Sequence, residues 1–262
     1  MIHEFYYGTS WHWPLPYLPR VMLSYNMLRK IKTTWDINIP FMMDSGAFSV
    51  ILKYGKYPFT PEEYASGIEK WHPDIAWTMD YPCEPSVQKR GGYNPKTAQE
   101  LTMDNQIRLL DLNTNTQMVV QGWEISDYLA NLDRIKEQGL LTEHLGIGSI
   151  CRRGQVKEIA RIIRAVHNNV PEGIKLHGFG IKTSILSMDS VHWLYSADSM
   201  SWDMERRYSW STINNNRGVV WQQKVPALLS HINKIERMIT PDERQASLIS
   251  TSREANPMEV AS

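Results

Sequence analysis

The feature that most constrains this chain is an alternation. Short apolar or β-branched runs recur along it, each followed by polar or glycine-rich punctuation and then by a helical pattern. Candidate strands are Glu4–Tyr7, Phe41–Met43, Ile75–Met79, Gln117–Val120, His144–Ile147, Lys175–Phe179 and Trp193–Ala197, with a weaker eighth at Val219–Gln222. Among the helices, one follows Thr60-Pro61-Glu62-Glu63, which reads as a capping box with proline at the first helical position. Ile125–Lys136 sets Ile125, Tyr128, Leu129, Leu132 and Ile135 on one face, and Val156, Ile159, Ala160, Ile163 and Val166 repeat that spacing. Strand-then-helix repetition implies a parallel sheet. About eight strands in 262 residues suit a closed (β/α)8 TIM-type barrel of the α/β class better than an open doubly wound sheet. No Gly-x-Gly-x-x-Gly opens a helix, which lowers the dinucleotide-fold alternative. The expectation is one barrel domain over residues 1–240 and a fraying polar tail over 241–262.

Charge and cysteine usage narrow the partners. Lys+Arg and Asp+Glu balance at 28 each, so a polyanion must be held by a local patch rather than by net charge. Cys83 and Cys151 lie far apart with no CxxC or Cys/His ligand spacing, so neither a disulfide framework nor a structural zinc site is signalled. MIHEFYYG carries no basic-plus-apolar leader, and no apolar run approaches the ~18 residues needed to span a bilayer. A soluble cytoplasmic protein with no membrane partner is expected. Ten tryptophans are many, and core packing is the expected fate of most.

In a (β/α)8 barrel the loops after the strands converge on one rim, which is where chemistry is expected. The strand-end residues are Asp44, Asp80, Gln121, the Gly146–Ser149 stretch, His177 to Gly180, and Asp198. Singly, each has a bland explanation. Asp44 before Ser45-Gly46 can cap a helix or form a turn, Asp80 precedes a turn at Tyr81-Pro82, Gln121 can be a satisfied core amide and His177 a packed histidine. Together at successive strand ends they favour function. Several carboxylates around one pocket permit an ionised nucleophile beside a proton donor. A glutamine and glycine backbone groups can read the edge of a planar heterocycle while aromatic rings stack on its face. That set suits glycosyl transfer to or from a nucleobase, and equally a glycosidase, which needs only paired carboxylates.

At these residues the sequence resembles the tRNA-guanine transglycosylase superfamily, (β/α)8 barrels that exchange guanine in nucleic acid for a 7-deazaguanine. Asp44-Ser45-Gly46-Ala47-Phe48 is similar to that family's DSGGF motif, and Met79-Asp80-Tyr81-Pro82-Cys83 to its second base-binding segment. Val119-Val120-Gln121-Gly122 is similar to its VQGG strand end, Leu145-Gly146-Ile147-Gly148 to its recognition loop, and Leu176-His177-Gly178-Phe179-Gly180 to its LMGVG-type turn. Two departures stand out. The CxCxxC cluster and later histidine of the zinc subdomain have no counterpart, so the resemblance implies no metal and no zinc subdomain. The late GxDxFD motif is replaced by Ser196-Ala197-Asp198-Ser199-Met200-Ser201-Trp202-Asp203, which puts Ser201 at the nucleophile position. A serine without a neighbouring base is a poor glycosyl acceptor, so Asp198 is expected to serve, with Asp203 in reserve.

Compact zinc-free relatives include the DpdA-type proteins of phages and bacteria, which insert 7-deazaguanines into DNA. Gly146-Ile-Gly-Ser-Ile-Cys-Arg-Arg153 and Lys175-Leu-His-Gly-Phe-Gly-Ile-Lys182 look closest to that branch. The resemblance implies a pentosyltransferase acting on DNA and a free 7-deazaguanine base such as 7-cyano-7-deazaguanine, without a cofactor, in the host cytoplasm if phage-encoded. With Asp198 expected as nucleophile in place of the motif's own residue, the resemblance implies Asp44 in proton transfer and base contacts from Asp80, Gln121, Gly146, Gly148, His177, Gly178 and Phe48. Arg152, Arg153, Lys182, Arg206 and Arg207 are the candidates for phosphate, while Lys89-Arg90 reads as ordinary solvated charge. A helper protein or a homodimer stays open. The alternatives are a tRNA or free-nucleoside transglycosylase, a glycoside hydrolase, and a catalytically inactive base- or DNA-binding barrel.

Overall fold

The computed structural model describes residues 2–186, 188, 192–202 and 224–240. Eight parallel strands close a barrel in chain order: β1 (Glu4–Gly8), β2 (Val21–Ser24), β3 (Phe41–Asp44), β4 (Ile75–Trp77), β5 (Thr116–Val120), β6 (His144–Ile147), β7 (Lys175–Gly178) and β8 (Ser196–Ser199). The ring shuts where β8 pairs with β1, Phe5 opposite Ala197 and Tyr6 opposite Asp198. The helices are α1 (Tyr25–Leu28), α2 (Ala47–Tyr54), α3 (Pro61–Trp71), α4 (Pro85–Gly91), α5 (Pro95–Asp111), α6 (Ile125–Glu137), α7 (Val156–His167) and α8 (Val225–Ile239). This is the (β/α)8 architecture that the alternation predicts. No described helix is long and apolar enough to cross a membrane.

Two strand assignments change. Val21–Ser24 is a barrel strand that the sequence pattern hides, and the ring closes without Val219–Gln222, which lies outside the described residues together with the 241–262 tail. The eighth strand also starts later than Trp193, so Asp198 sits inside β8 rather than after it.

Side chains alternate across each strand, which sorts the core into two layers. Outward-facing Phe5, Tyr7, Leu23, Met43, Met118, Val120, Leu145 and Leu176 pack with buried helix residues such as Tyr128, Leu132, Ile135, Ile159 and Ile163. Each such side chain, wholly removed from water, stabilises the fold by about 1.5–3 kcal/mol. The inward set is small: Tyr6, Met22, Met42, Trp77 and Val119, with Ile75 and Phe179 against it. The capping box holds as expected, Thr60 Oγ1 accepting from Glu63 N at 3.3 Å and Glu63 Oε2 from Thr60 N at 2.8 Å. With apolar residues filling the barrel's middle, Asp44, Gln121 and Asp198 share its inward parity at the strands' C-terminal ends.

Candidate active site

Asp44 is the last residue of β3. Gly46 turns the chain from there into α2 at φ +78°, and a Cβ on it would lie 2.1 Å from Ser24 Oγ, so both backbone angle and space demand glycine. The Ser24 hydroxyl and the Gly46 backbone lie beside the Asp44 carboxyl, yet its Oδ1 is buried with no hydrogen-bond partner among the described residues. Burial, then the charges of Asp198 and Asp80, push Asp44 up to about 8. Asp80 lies past the end of β4, and burial followed by the Glu84 charge raises it to about 7. Its backbone carbonyl accepts from Tyr57 Oη at 2.6 Å, which obliges Ser45 to donate to Tyr57 across 2.8 Å. The serine of the DSG segment thus ties the β3 and β4 loops together.

Asp198 is reached from two neighbouring strands. Its Oδ1 accepts from Gly180 N at 2.9 Å and lies 3.3 Å from His177 Nε2, while His177 Nδ1 lies 2.8 Å from Ser196 Oγ. One neutral tautomer satisfies all three groups: Nε2–H donates to Asp198 and Nδ1 accepts from Ser196. His177 is fully buried, tilted on Trp77 at 4.9 Å and edge-on to Phe179 at 4.7 Å. This histidine, a candidate base contact by sequence, is held between Ser196 and Asp198, where its ring orients the Asp198 carboxyl. Gly180 carries φ +60° and has Cys151 Cβ at 2.5 Å from where a Cβ would stand.

Gln121 follows directly on β5, beside these groups. Its Nε2 donates to Asp80 Oδ2 at 2.5 Å, its Oε1 accepts from Ser149 Oγ at 2.6 Å, and its backbone is fixed by Asn131 and Gln99. Gly148 leaves room for that amide, since a Cβ there would fall 2.2 Å from Gln121 Nε2. Gly146 and Gly178, the candidates for backbone approach to a base, have little space above their Cα atoms. A Cβ would meet the Phe179 ring at the first and Ile181 with Leu194 at the second. Ser149, at φ +57°, also accepts from Cys83 N at 2.7 Å and meets Glu84 Oε2 at 2.9 Å.

The family model described as "DpdA: DeoxyPurine in DNA protein A" matches residues 1–217 of the chain. The chain belongs to the DpdA family. No curated protein matches it. The DpdA match spans every barrel strand and the whole rim from Asp44 to Asp198.

Sequence reading of this DpdA member missed Ser24, Tyr57, Glu84, Ser149 and Ser196 as parts of the site. Only Ser149 carried a signal, as the end of the Gly146–Ser149 stretch. Among the described residues no group of three or more His, Cys, Asp or Glu is placed to hold a metal ion.

The phosphate candidates separate. Arg152 is exposed, its guanidinium 4.8 Å over the half-buried Phe48 ring. Arg153 turns inward: it is 2 % exposed, paired with Glu158, donates to the Trp123 and Ser149 carbonyls, and lies over the Trp123 ring. A guanidinium buried among those partners is closed to a phosphate at the surface, so that expectation is corrected. Lys182 Nζ donates to the Arg153 carbonyl at 2.6 Å and joins the β6 and β7 loops. Asp203, Arg206 and Arg207 lie outside the described residues. In urea titrations Arg153→Ala should lose about 3 kcal/mol, because Glu158 and the carbonyls are left unpaired, while Arg152→Ala should leave the midpoint unchanged.

Proposed function

We propose that the chain exchanges guanine in DNA for a 7-deazaguanine base through a covalent aspartyl-nucleoside intermediate. The observation that carries this reading is the pairing of two unlike carboxyls at one rim. Asp198 is oriented by Gly180 and His177 through Oδ1, and Asp44, its neighbour in charge, has a buried oxygen unpartnered among the described residues and a raised pKa. One is arranged as a nucleophile, the other as a proton carrier at neutral pH.

In this mechanism a deoxyguanosine leaves the stack and enters the rim, and Asp198 Oδ2 attacks C1′ as the C1′–N9 bond breaks. Asp44 gives its proton to the departing guanine. The incoming base returns a proton to Asp44, its N9 attacks C1′, and the Asp198 ester bond breaks, so protons and electron pairs balance without a cofactor. Ionised Asp80 accepts from the N1–H and amino group of the base, and Gln121 stands beside it. Phe48 flanks the opening with Arg152 above, where cation and ring suit a base and its phosphate.

The test is incorporation of labelled 7-cyano-7-deazaguanine into duplex DNA and, in parallel, into tRNA, read by nucleoside mass analysis. Incorporation into DNA alone is expected. Incorporation into tRNA alone overturns the substrate, and none into either, with DNA still bound, leaves a binding barrel.

A further inference from the structure

Glu84 is a carboxyl that the exchange mechanism does not use. It precedes α4, is 2 % exposed, and sends Oε2 to within 2.9 Å of Ser149 Oγ. From there contacts run on: Ser149 Oγ to the Gln121 amide at 2.6 Å, and that amide to Asp80 Oδ2 at 2.5 Å. Cys83 N already donates to Ser149 Oγ at 2.7 Å.

Counting protons along this line gives a constraint. A serine hydroxyl has one proton to donate, and an amide's oxygen and nitrogen ends fit the same space. With Oε1 of Gln121 toward Ser149, the hydroxyl faces two oxygens and can donate to one, so the Glu84 contact needs a proton on Glu84. With Nε2 toward Ser149, the hydroxyl serves Glu84, but Oε1 then faces Asp80 and that contact needs a proton on Asp80. Either way at least one carboxyl is protonated, and a single proton is enough to bridge every contact. Two ionised ends would leave an oxygen–oxygen contact below 3 Å unbridged.

We infer that the line Asp80–Gln121–Ser149–Glu84 holds one shared proton, and that Glu84 is a positioning residue whose proton fixes the direction of the Gln121 amide. With the proton on Glu84, Ser149 donates to Oε1, Nε2 donates to Asp80, and Asp80 is an anionic acceptor for a donor-rich base edge. With the proton on Asp80, the amide turns by half a rotation and Asp80 no longer accepts. The first state suits a guanine-type edge, so Glu84 sets base selectivity from a distance.

The surroundings agree. Burial raises both Asp80 and Glu84, and the Glu84 charge is the second cause of the rise at Asp80. The groups that face Glu84 are the Cys83 and Cys151 thiols, Tyr93, Tyr128 and Arg153, and Arg153 gives its hydrogen bonds to Glu158, Trp123 and Ser149. Cys151 Sγ lies 3.7 Å from Glu84 Oε1.

The selectivity half of this inference rests on the transglycosylase reading; the proton count does not, and the test keeps them apart. Infrared spectra of the full chain without substrate, in an Asp44→Asn background that removes the proton on Asp44, should show a buried protonated-carboxyl band at pH 7. Glu84→Gln should abolish it. Absence of the band in the background, or its persistence in Glu84→Gln, overturns the shared proton on Glu84. In base exchange by the otherwise unaltered chain, Glu84→Leu should raise KM for the incoming base roughly 10- to 100-fold with kcat little changed. Glu84→Gln should recover most of that, because its amide N–H donates to Ser149 as the acid does. Equal losses in both variants overturn the positioning role.

Discussion

Asp198→Asn is expected to lower base exchange by about 10³-fold or more while leaving DNA binding in place. The replacement keeps size and keeps an oxygen for the Gly180 amide, so Oδ1 retains its 2.9 Å contact and the β7–β8 register is undisturbed. It removes the anionic oxygen that would bond to C1′. A covalent enzyme–DNA species trapped on a denaturing gel in the unaltered chain should be missing from the variant. Ser201 is the rival by motif position, but its hydroxyl is buried without a hydrogen-bond partner among the described residues, so none of the described groups acts on it as a base. If Asp198→Asn still traps the adduct and Asp203→Asn does not, Asp203 is the nucleophile. Loss of DNA binding along with activity would instead mean that Asp198 supports the rim's shape.

Much of the barrel was readable because hydrophobic runs and helical faces alternate in the chain, as α6 and α7 do with their buried Tyr128, Leu132, Ile159 and Ile163. Strand β2 was not, because Val21–Ser24 runs straight into α1 with no glycine or proline between them, and four residues are too few for period 2 to show. Strand β8 reads Ser-Ala-Asp-Ser, poor in β-branched residues, and owes its conformation to pairing with strands on both sides. The same distinction divides the site. Asp44, Asp80, Gln121 and Asp198 announce themselves by being polar at or near the end of an apolar run. Glu84, Tyr57 and Ser196 matter only through neighbours far away in the chain, and nothing local marks them. Arg152 and Arg153 are adjacent and alike as letters; the turn after β6 sends one outward over Phe48 and the other inward onto the Trp123 ring.

Asp44 links pH, rate and stability, and its sign can be worked out. In the folded chain it holds its proton up to about 8, whereas its ordinary value is 3.8. Between those values the native state binds a proton that the unfolded chain releases, so Asp44's contribution to stability is fully present below about pH 4 and falls as pH rises to about 8. Asp44→Asn removes an ionisable group that burial and two neighbouring carboxylates oppose. Its unfolding free energy should match the unaltered chain near pH 4 and exceed it by about 2–4 kcal/mol at pH 8, measured by urea titration. Activity should run the other way. Guanine release by the unaltered chain should decline about tenfold per pH unit above 8, as the proton for the leaving base is lost, and Asp44→Asn should be nearly inactive at every pH. A more stable and less active variant is the signature of a carboxyl kept in place at a cost for its chemistry. A flat rate profile from pH 7 to 9.5, with Asp44→Asn no more stable than the parent, would remove Asp44 as the proton donor and leave it as a reader of the base.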